Sequence, residues 1–223
     1  MSIGDSPSLK TIADLIGDIA PHSMSEMYGI NFGGGSSSPA SGTISLSDFR
    51  NQVITFAEWL EQAKIQASDK EAGDLFGKSV AISGDGTTAI VGAWYEDTGG
   101  SQAGAAYIFT RSGTDWSEQA KILSSDTQAY GNFGRSVALS GDGNTAIVGS
   151  AVDLNTVGAA YIFTRSGTSW SEQAKIQASD VEAGDQFGYS VSISGDGTTA
   201  IVGAHYEDTG AGNAGAAYIL AFT

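Results

Sequence analysis

The chain contains no cysteine, which excludes a disulfide framework, a thiolate metal site and a cysteine nucleophile. Its stability has to come from packing, within the chain or against other subunits. Cations are scarce too: 10 Lys and Arg stand against 25 Asp and Glu, a net charge of −15. Binding to nucleic acid or an anionic membrane is driven largely by Lys and Arg neutralising phosphate, so no nucleic-acid partner is expected. The acidity reads as solubility in a salty medium. No apolar run approaches the ~18 residues needed to span a bilayer, so no membrane insertion is expected. Residues 1–20 have Lys10 as their only cation and break their apolar positions with Asp5, Asp14 and Asp18, whereas a secretory signal needs a basic start and an unbroken apolar run. The expectation is synthesis and assembly in a cytoplasm.

Catalytic side chains are equally thin. The two histidines are His22, beside Pro21, and His205, which stands where other copies of a repeat hold Trp94 and Ala151. Neither belongs to a recurring constellation. No Gly-x-Ser-x-Gly turn occurs where a strand would meet a helix, and no catalytic triad can be assembled. The reading is of a non-enzyme with no catalytic residue and no cofactor.

What is present is a repeat. FGKSVAISGDGTTAIVGAWYEDTGGSQAGAAYIF begins at Phe76 and returns in related form at Phe133 and Phe187. Each copy is joined to a second shared segment, EQAKIQASD or EQAKILSSD, at Glu61, Glu118 and Glu172, 57 and then 54 residues apart. A period of this length signals a repeat architecture. Within one unit the runs 79–83, 87–93, 105–110 and 116–123 read as short strands bounded by Gly, Asp and Ser. The Gly-Asp-Gly at 84–86, repeated at 141–143 and 195–197, has the chemistry of a hairpin, because glycine takes positive φ freely. TAIVGA and AAYIF are apolar on both faces, which suits a sheet pressed between neighbours. EQAKIQA alternates, with Ala63, Ile65 and Ala67 on one side and Gln62, Lys64 and Gln66 on the other; it reads as a peripheral strand whose lysine, repeated as Lys121 and Lys175, guards the edge against pairing. Phe76, Phe133 and Phe187, with Tyr107, Tyr161 and Tyr218, recur at fixed positions and read as packing residues between units. Four strands graded from buried to exposed describe a propeller blade.

The order Phe-Gly, Ser-Val-x-[Ile/Leu]-Ser-Gly-Asp-Gly, Ala-Ile-Val-Gly-[Ala/Ser], Gly-Ala-Ala-Tyr-Ile-[Phe/Leu] resembles the FG-GAP repeats of integrin alpha-chain propellers, over residues 59–223. The resemblance implies an all-β fold of three four-stranded blades, about 76–124, 133–178 and 187–222, with 59–67 as an outer strand lacking a blade of its own. The third blade lacks an outer strand, so one spare strand meets one vacancy. Pairing them closes either a three-bladed pinwheel within one chain or a ring completed by a second chain. Two departures from the family are visible. The proline of its signature is replaced by Trp94, Ala151 and His205, and the Asp-x-Asp-x-Asp-Gly calcium loop is reduced to a lone Gly-Asp-Gly. One carboxylate cannot supply the six to eight oxygens calcium takes, so the family's metal sites are not carried over.

Residues 1–52 read as an adaptor and tether, and 53–223 as the repeat domain. At 8–19 the pattern is a short amphipathic helix with Leu9, Ile12, Leu15, Ile16 and Ile19 on one face, capped by Ser8 and stopped by Pro21. Such a helix is marginal alone, so its apolar face docks on a partner or on the chain's own repeats. Two related heptads follow, SMSEMYG at 23–29 and SLSDFRN at 45–51, each with a serine three residues before an acid, the spacing of a capping box. Between them GGGSSSPASG is a flexible linker by composition. Segments such as GTISLSDFRN are similar to ones near the N-termini of tailed-bacteriophage virion proteins. That similarity implies a virion structural protein, a fibre, spike or decoration module, assembled in the host cytoplasm and extracellular after release. Its partners would be other virion proteins, held through the N-terminal segment, and host-surface glycan, with the chain a homo-oligomer in the particle. Two rivals remain open: a secreted bacterial adhesin or matrix protein, possibly calcium-dependent, and a glycan depolymerase.

Two sets of loop residues are candidates for a site. Asp69, Asp74, Asp180 and Asp185 flank glycine-containing turns before Phe76 and Phe187; they read as solvated loop charge, as weak calcium ligands or, least of all, as a glycoside-hydrolysis pair. Trp94, Tyr95, His205 and Tyr206 combine rings with neighbouring acids in the loop after the second strand, the composition of a carbohydrate-contacting rim. Packing of that loop on the next blade is the alternative.

Overall fold

A computed structural model of the protein describes residues 59–151, 157–180, 182–208 and 212–222, all within a compact unit that begins at Glu58. The helix with Leu9, Ile12, Leu15, Ile16 and Ile19, the two heptads and the Gly/Ser tether lie outside the described residues. Within them the protein is all-β. Strands β1 (Ser79–Ile82), β2 (Thr88–Ala93), β3 (Ala105–Ser112) and β4 (Asp115–Ile122) form one sheet in sequence order. A second sheet repeats the order with β5 (Phe133–Leu139), β6 (Thr145–Ser150), β7 (Ala159–Ser166) and β8 (Ser169–Ile176). The third has β9 (Ser190–Ile193), β10 (Thr199–Ala204) and β11 (Ala216–Ala221), without a fourth strand among the described residues. Neighbouring strands are antiparallel throughout.

The Gly-Asp-Gly hairpin divides its work. Gly86 has φ +67°, while Asp85 accepts hydrogen bonds from the Ser83 hydroxyl at 2.6 Å and the Thr87 N–H at 2.9 Å, fixing the turn from within. Gly84 serves the neighbouring blade. Its N–H donates to the Gly141 carbonyl at 2.8 Å, and Gly141 donates in the same way to Gly195. A Cβ on Gly84 would lie 3.1 Å from the accepting oxygen. Serine hydroxyls add a second rung: Ser79 donates to Gly134 O at 2.8 Å and Ser136 to Gly188 O at 2.9 Å.

Each blade has two unlike faces. One is aliphatic, and in the first blade it carries Ile90, Ala106, Ile108 and Ile122; the other is aromatic, and in the second blade it carries Phe133, Tyr161 and Phe163 with Val137, Leu139 and Val148. These two faces bury each other in one continuous core. The same juxtaposition recurs between the second blade, with Ile147 and Ala160, and the third, with Phe187 and Val202. Phe133 and Phe187 therefore pack between blades as expected, and within each blade the recurrent Phe meets the Tyr ring edge to face, Phe76 on Tyr107, Phe133 on Tyr161 and Phe187 on Tyr218, with centroids 5.5, 5.4 and 5.3 Å apart.

Within one chain residues 59–67 pair with neither the first sheet, whose fourth place is β4, nor the three-stranded third sheet, so the vacancy of the third blade is not filled inside the chain. One reading of the outer strands is corrected. Their lysines are not edge guards. Lys121 is ion-paired with Asp69 at 2.6 Å and Glu96 at 2.8 Å, and Lys175 with Asp126 at 2.5 Å. A bulge makes this possible. Ile108 faces Ala120 while Phe109 faces Glu118, so Gln119 is the extra residue. It turns Glu118 to the side of Lys121, where strict alternation would have opposed them.

Candidate functional site

The loop acids are held in a repeated set of contacts. Asp69 accepts from the Tyr107 hydroxyl at 2.9 Å and Asp126 from Tyr161 at 2.7 Å, while Lys121 and Lys175 bind their other oxygens. Asp180 accepts from Tyr218 at 3.0 Å. The remaining two candidates are buried turn caps: Asp74 receives the Glu71 N–H at 2.6 Å and Asp185 the Glu182 N–H at 2.7 Å. Among the described residues no three His, Cys, Asp or Glu side chains are grouped to hold a metal ion.

This wiring sets the charges. The Lys121 hydrogen bond holds the Asp69 carboxyl below its usual value, against the opposing effect of burial. For Asp126, burial pushes upward, but hydrogen bonds from Lys175 and Tyr161 outweigh it. The Ser83 hydroxyl, with Thr87, takes Asp85 down to about 2. A carboxyl lowered by folding contributes stability above its unfolded value, and that contribution disappears as pH falls through the folded value. Circular-dichroism melts are therefore expected to give a midpoint that falls steeply below about pH 4. Asp126→Asn should shallow the fall; an unchanged acid slope in that variant would show the Asp126 contacts contribute nothing.

The aromatic candidates lie at the opposite end of the strands from the Gly-Asp-Gly hairpins. Ser79 pairs with Gly92 and Ser190 with Gly203, so the residue before a blade's first strand lies close to the residue following its second. Lys78 accordingly lies 5.0 Å from the centre of the Trp94 ring, and the Tyr189 and His205 rings are 4.0 Å apart. Arg135, from the blade between them, joins the two halves. Its guanidinium carbon is 4.6 Å from the Trp94 ring centre and 4.2 Å from that of Tyr189. Tyr95 stacks on Trp94 at 4.2 Å, and Tyr206 meets His205 at 4.0 Å. A ladder of rings and cations, Tyr95–Trp94–Arg135–Tyr189–His205–Tyr206, thus crosses all three blades. Backbone bonds fix its ends: Tyr95 N–H donates to Asp74 O and Tyr206 N–H to Asp185 O, each at 3.3 Å.

All four sequence candidates belong to this ladder. Lys78, Arg135 and Tyr189 are the ones sequence reasoning missed, although a signal existed in the variable position of Phe-Gly-x-Ser, which holds Lys, Arg and Tyr in turn. The loops pack across blades, and the Tyr189 and Tyr206 rings stay exposed. Burial, and then the Arg135 charge, lower the His205 pKa, so that imidazole is neutral at pH 7. Trp94 Nε1 and Arg135 Nε are buried without a hydrogen-bond partner. Two unsatisfied donors cost on the order of 1–3 kcal/mol each, and both lie in the middle of the ladder.

No match was found among curated proteins. Three solved structures share part of the chain's form. The hydrazine synthase of Kuenenia stuttgartiensis is 18% identical, over 64% of this chain and 33% of its own, with a TM-score of 0.42. The periplasmic gluconolactonase PpgL of Pseudomonas aeruginosa is 19% identical, over 59% of this chain and 37% of its own, at 0.42. TolB of Acinetobacter baumannii is 16% identical, over 68% of this chain and 33% of its own, at 0.36. The chain spans about a third of the length of each. The FG-GAP repeat family model matches residues 59–109, 116–163 and 170–220, the first taking in segment 59–67 with β1–β3, the second β4–β7 and the third β8–β11. With its three blades, recurrent Phe-Gly turns and Gly-Ala-Ala-Tyr strands, the chain belongs to the FG-GAP repeat family.

Proposed function

We propose that the protein is a non-enzymatic component of a tailed-phage virion, a fibre, spike or decoration module whose repeat domain contacts host-surface glycan through the ladder from Tyr95 to Tyr206. The observation that carries the binding reading is the ladder itself, in which the Tyr189 and Tyr206 rings stay exposed beside the Arg135 guanidinium. Exposed rings present apolar faces to the C–H faces of a sugar. Lys78 and Arg135 also place two cations at one end of a molecule with net charge −15. Against that acidic background they favour a sugar bearing carboxylates. Attachment to other virion proteins is assigned to residues 1–52, on the amphipathic pattern, the capping-box heptads and the Gly/Ser spacer.

Titration calorimetry with a uronic-acid oligosaccharide tests the binding half. Trp94→Ala and Arg135→Gln are each expected to weaken binding at least about tenfold, the equivalent of ~1.4 kcal/mol, while Tyr130→Ala, an exposed ring outside the ladder, leaves it unchanged. Equal binding by all three variants would remove the ladder from the site. A chain starting at Val53 is expected to bind the same sugar yet fail to join particles; its normal incorporation would overturn the attachment role.

A further inference from the structure

We infer that the third blade is completed by residues 59–67 of a second copy of this chain, and that two copies close head to tail into one six-bladed ring. The two blade junctions use the same contacts at the same repeat positions. At each, the aliphatic face of one blade covers the aromatic face of the next. At the ends of the stack parts of the same two faces are left bare; on the first blade Ile65 and Ala67 cover Tyr107 and Phe109, and the inner strand is open. Ile219, on the aliphatic face of the third blade, is 67% exposed, whereas its counterpart Ile108 is 0%. Val80, on the aromatic face of the first, is 68% exposed, whereas its counterpart Val137 is 7%. Each bare face is the complement of the other, so a further junction of the same kind joins the third blade of one copy to the first of another.

The polar groups agree. Ser79 and Ser136 donate across their junctions to Gly134 and Gly188, and Gly84 and Gly141 donate to Gly141 and Gly195. Ser190 and Gly195 occupy the same positions in the third blade, with no acceptor among the described residues; Gly77 and Gly84 of a second copy supply the equivalent carbonyls. The outer strand carries the sharpest match. Glu118 accepts from Ser68 and Glu172 from Ser125, while Lys121 binds Asp69 and Lys175 binds Asp126. The next pair in each series is Glu61 with Ser179 and Lys64 with Asp180. Lys64 forms no ion pair among the described residues, and Asp180 has Tyr218 but no lysine. In the register of β7 with β8, where Tyr161 faces Lys175 and Arg165 faces Trp170, Lys64 falls opposite Tyr218, and exposed Trp59 opposite exposed Phe222.

The blade count selects a second copy over closure within one chain. Both internal junctions use the same close backbone approach, a glycine Cβ position about 2 Å from the next blade's carbonyl oxygen (1.9 Å at Gly92, 2.0 Å at Gly149), so each turns the stack by a similar angle. A three-bladed ring would need those two steps to bring the end faces together, and Val80 and Ile219 remain exposed. Propellers close at about four to eight blades, and two chains of three give six. Two heterologous junctions related by a two-fold axis leave no edge for further growth.

Light scattering on the full chain and on charge-reversed variants tests this. Lys64 and Asp180 are both exposed, so Lys64→Glu and Asp180→Lys leave the core untouched. The unaltered chain is expected at about twice its 22.8 kDa mass, and each variant alone at the mass of one chain. An equimolar mixture of the two variants is expected to regain the doubled mass, because both junctions of the mixed pair then match opposite charges. That recovery cannot arise from closure within a chain. The inference is overturned if the unaltered protein has the mass of one chain, if either variant alone stays paired, or if the mixture stays unpaired.

Discussion

Replacing Gly149 with alanine is expected to lower the thermal unfolding midpoint by roughly 6–12 °C, the equivalent of about 3 kcal/mol at ~2–4 °C per kcal/mol for a domain of this size. Local preference points the other way. Gly149 sits in β6 without positive φ, a position where alanine normally gains ~0.4–1 kcal/mol by restricting the unfolded chain. The opposing term is the neighbouring blade. A Cβ at 149 would lie 2.0 Å from the Gly188 carbonyl oxygen and 2.4 Å from the Ser136 hydroxyl. That hydroxyl is itself bonded to the same carbonyl, so turning it away forfeits a junction hydrogen bond. Backbone of the third blade has to withdraw, and overpacking of this kind costs ~1–3 kcal/mol or more. Gly212→Ala, with nothing within 4 Å of the added atom, is the control and should stay within about 0.5 kcal/mol. A Gly149 variant that melts with the unaltered protein would mean the blades do not approach as described.

Phe133→Ala is expected to cost about 3–5 kcal/mol, the largest loss from any single side chain at the first junction. Its ring is fully enclosed in the core cluster shared by Ile90, Ile108, Val137 and Leu139, edge-on to Tyr161 at 5.4 Å and to Phe163 at 5.9 Å. Its backbone is tied to the preceding blade as well, through Phe133 N–H to Ala103 O at 2.9 Å. Removing the ring leaves a cavity between sheets that these backbone bonds keep from collapsing, which places the loss at the upper part of the range. Phe133→Leu retains most of the apolar volume and should cost about 1–1.5 kcal/mol. Chemical denaturation of the two variants gives the comparison. Equal losses would show that the ring's contacts with Tyr161 and Phe163, and not filled volume, hold the junction.

The two variants also separate what can be read along the chain from what requires the assembled sheets. A period of 57 and 54 residues, the Gly-Asp-Gly hairpins and the Phe and Tyr positions are local or recurring features, and they were enough to order the strands, count the blades and mark the aromatics as packing residues. Glycine at 84 was legible as a turn residue, but its contact with Gly141 was not. The bulge at Gln119 was hidden for a related reason. Strict alternation describes a strand taken alone, whereas a bulge is defined by the partner strand it slips against. With the bulge came the pairing of Lys121 and Lys175 with loop acids 52 and 49 residues away, which converted supposed edge lysines and solvated carboxylates into staples between blades. At the candidate site, sequence alone marked Trp94, Tyr95, His205 and Tyr206 by their ring content. Only the stacking of one blade on the next brought Arg135 between Trp94 and Tyr189, because contacts between blades depend on the distance between sheets, a quantity no single repeat contains.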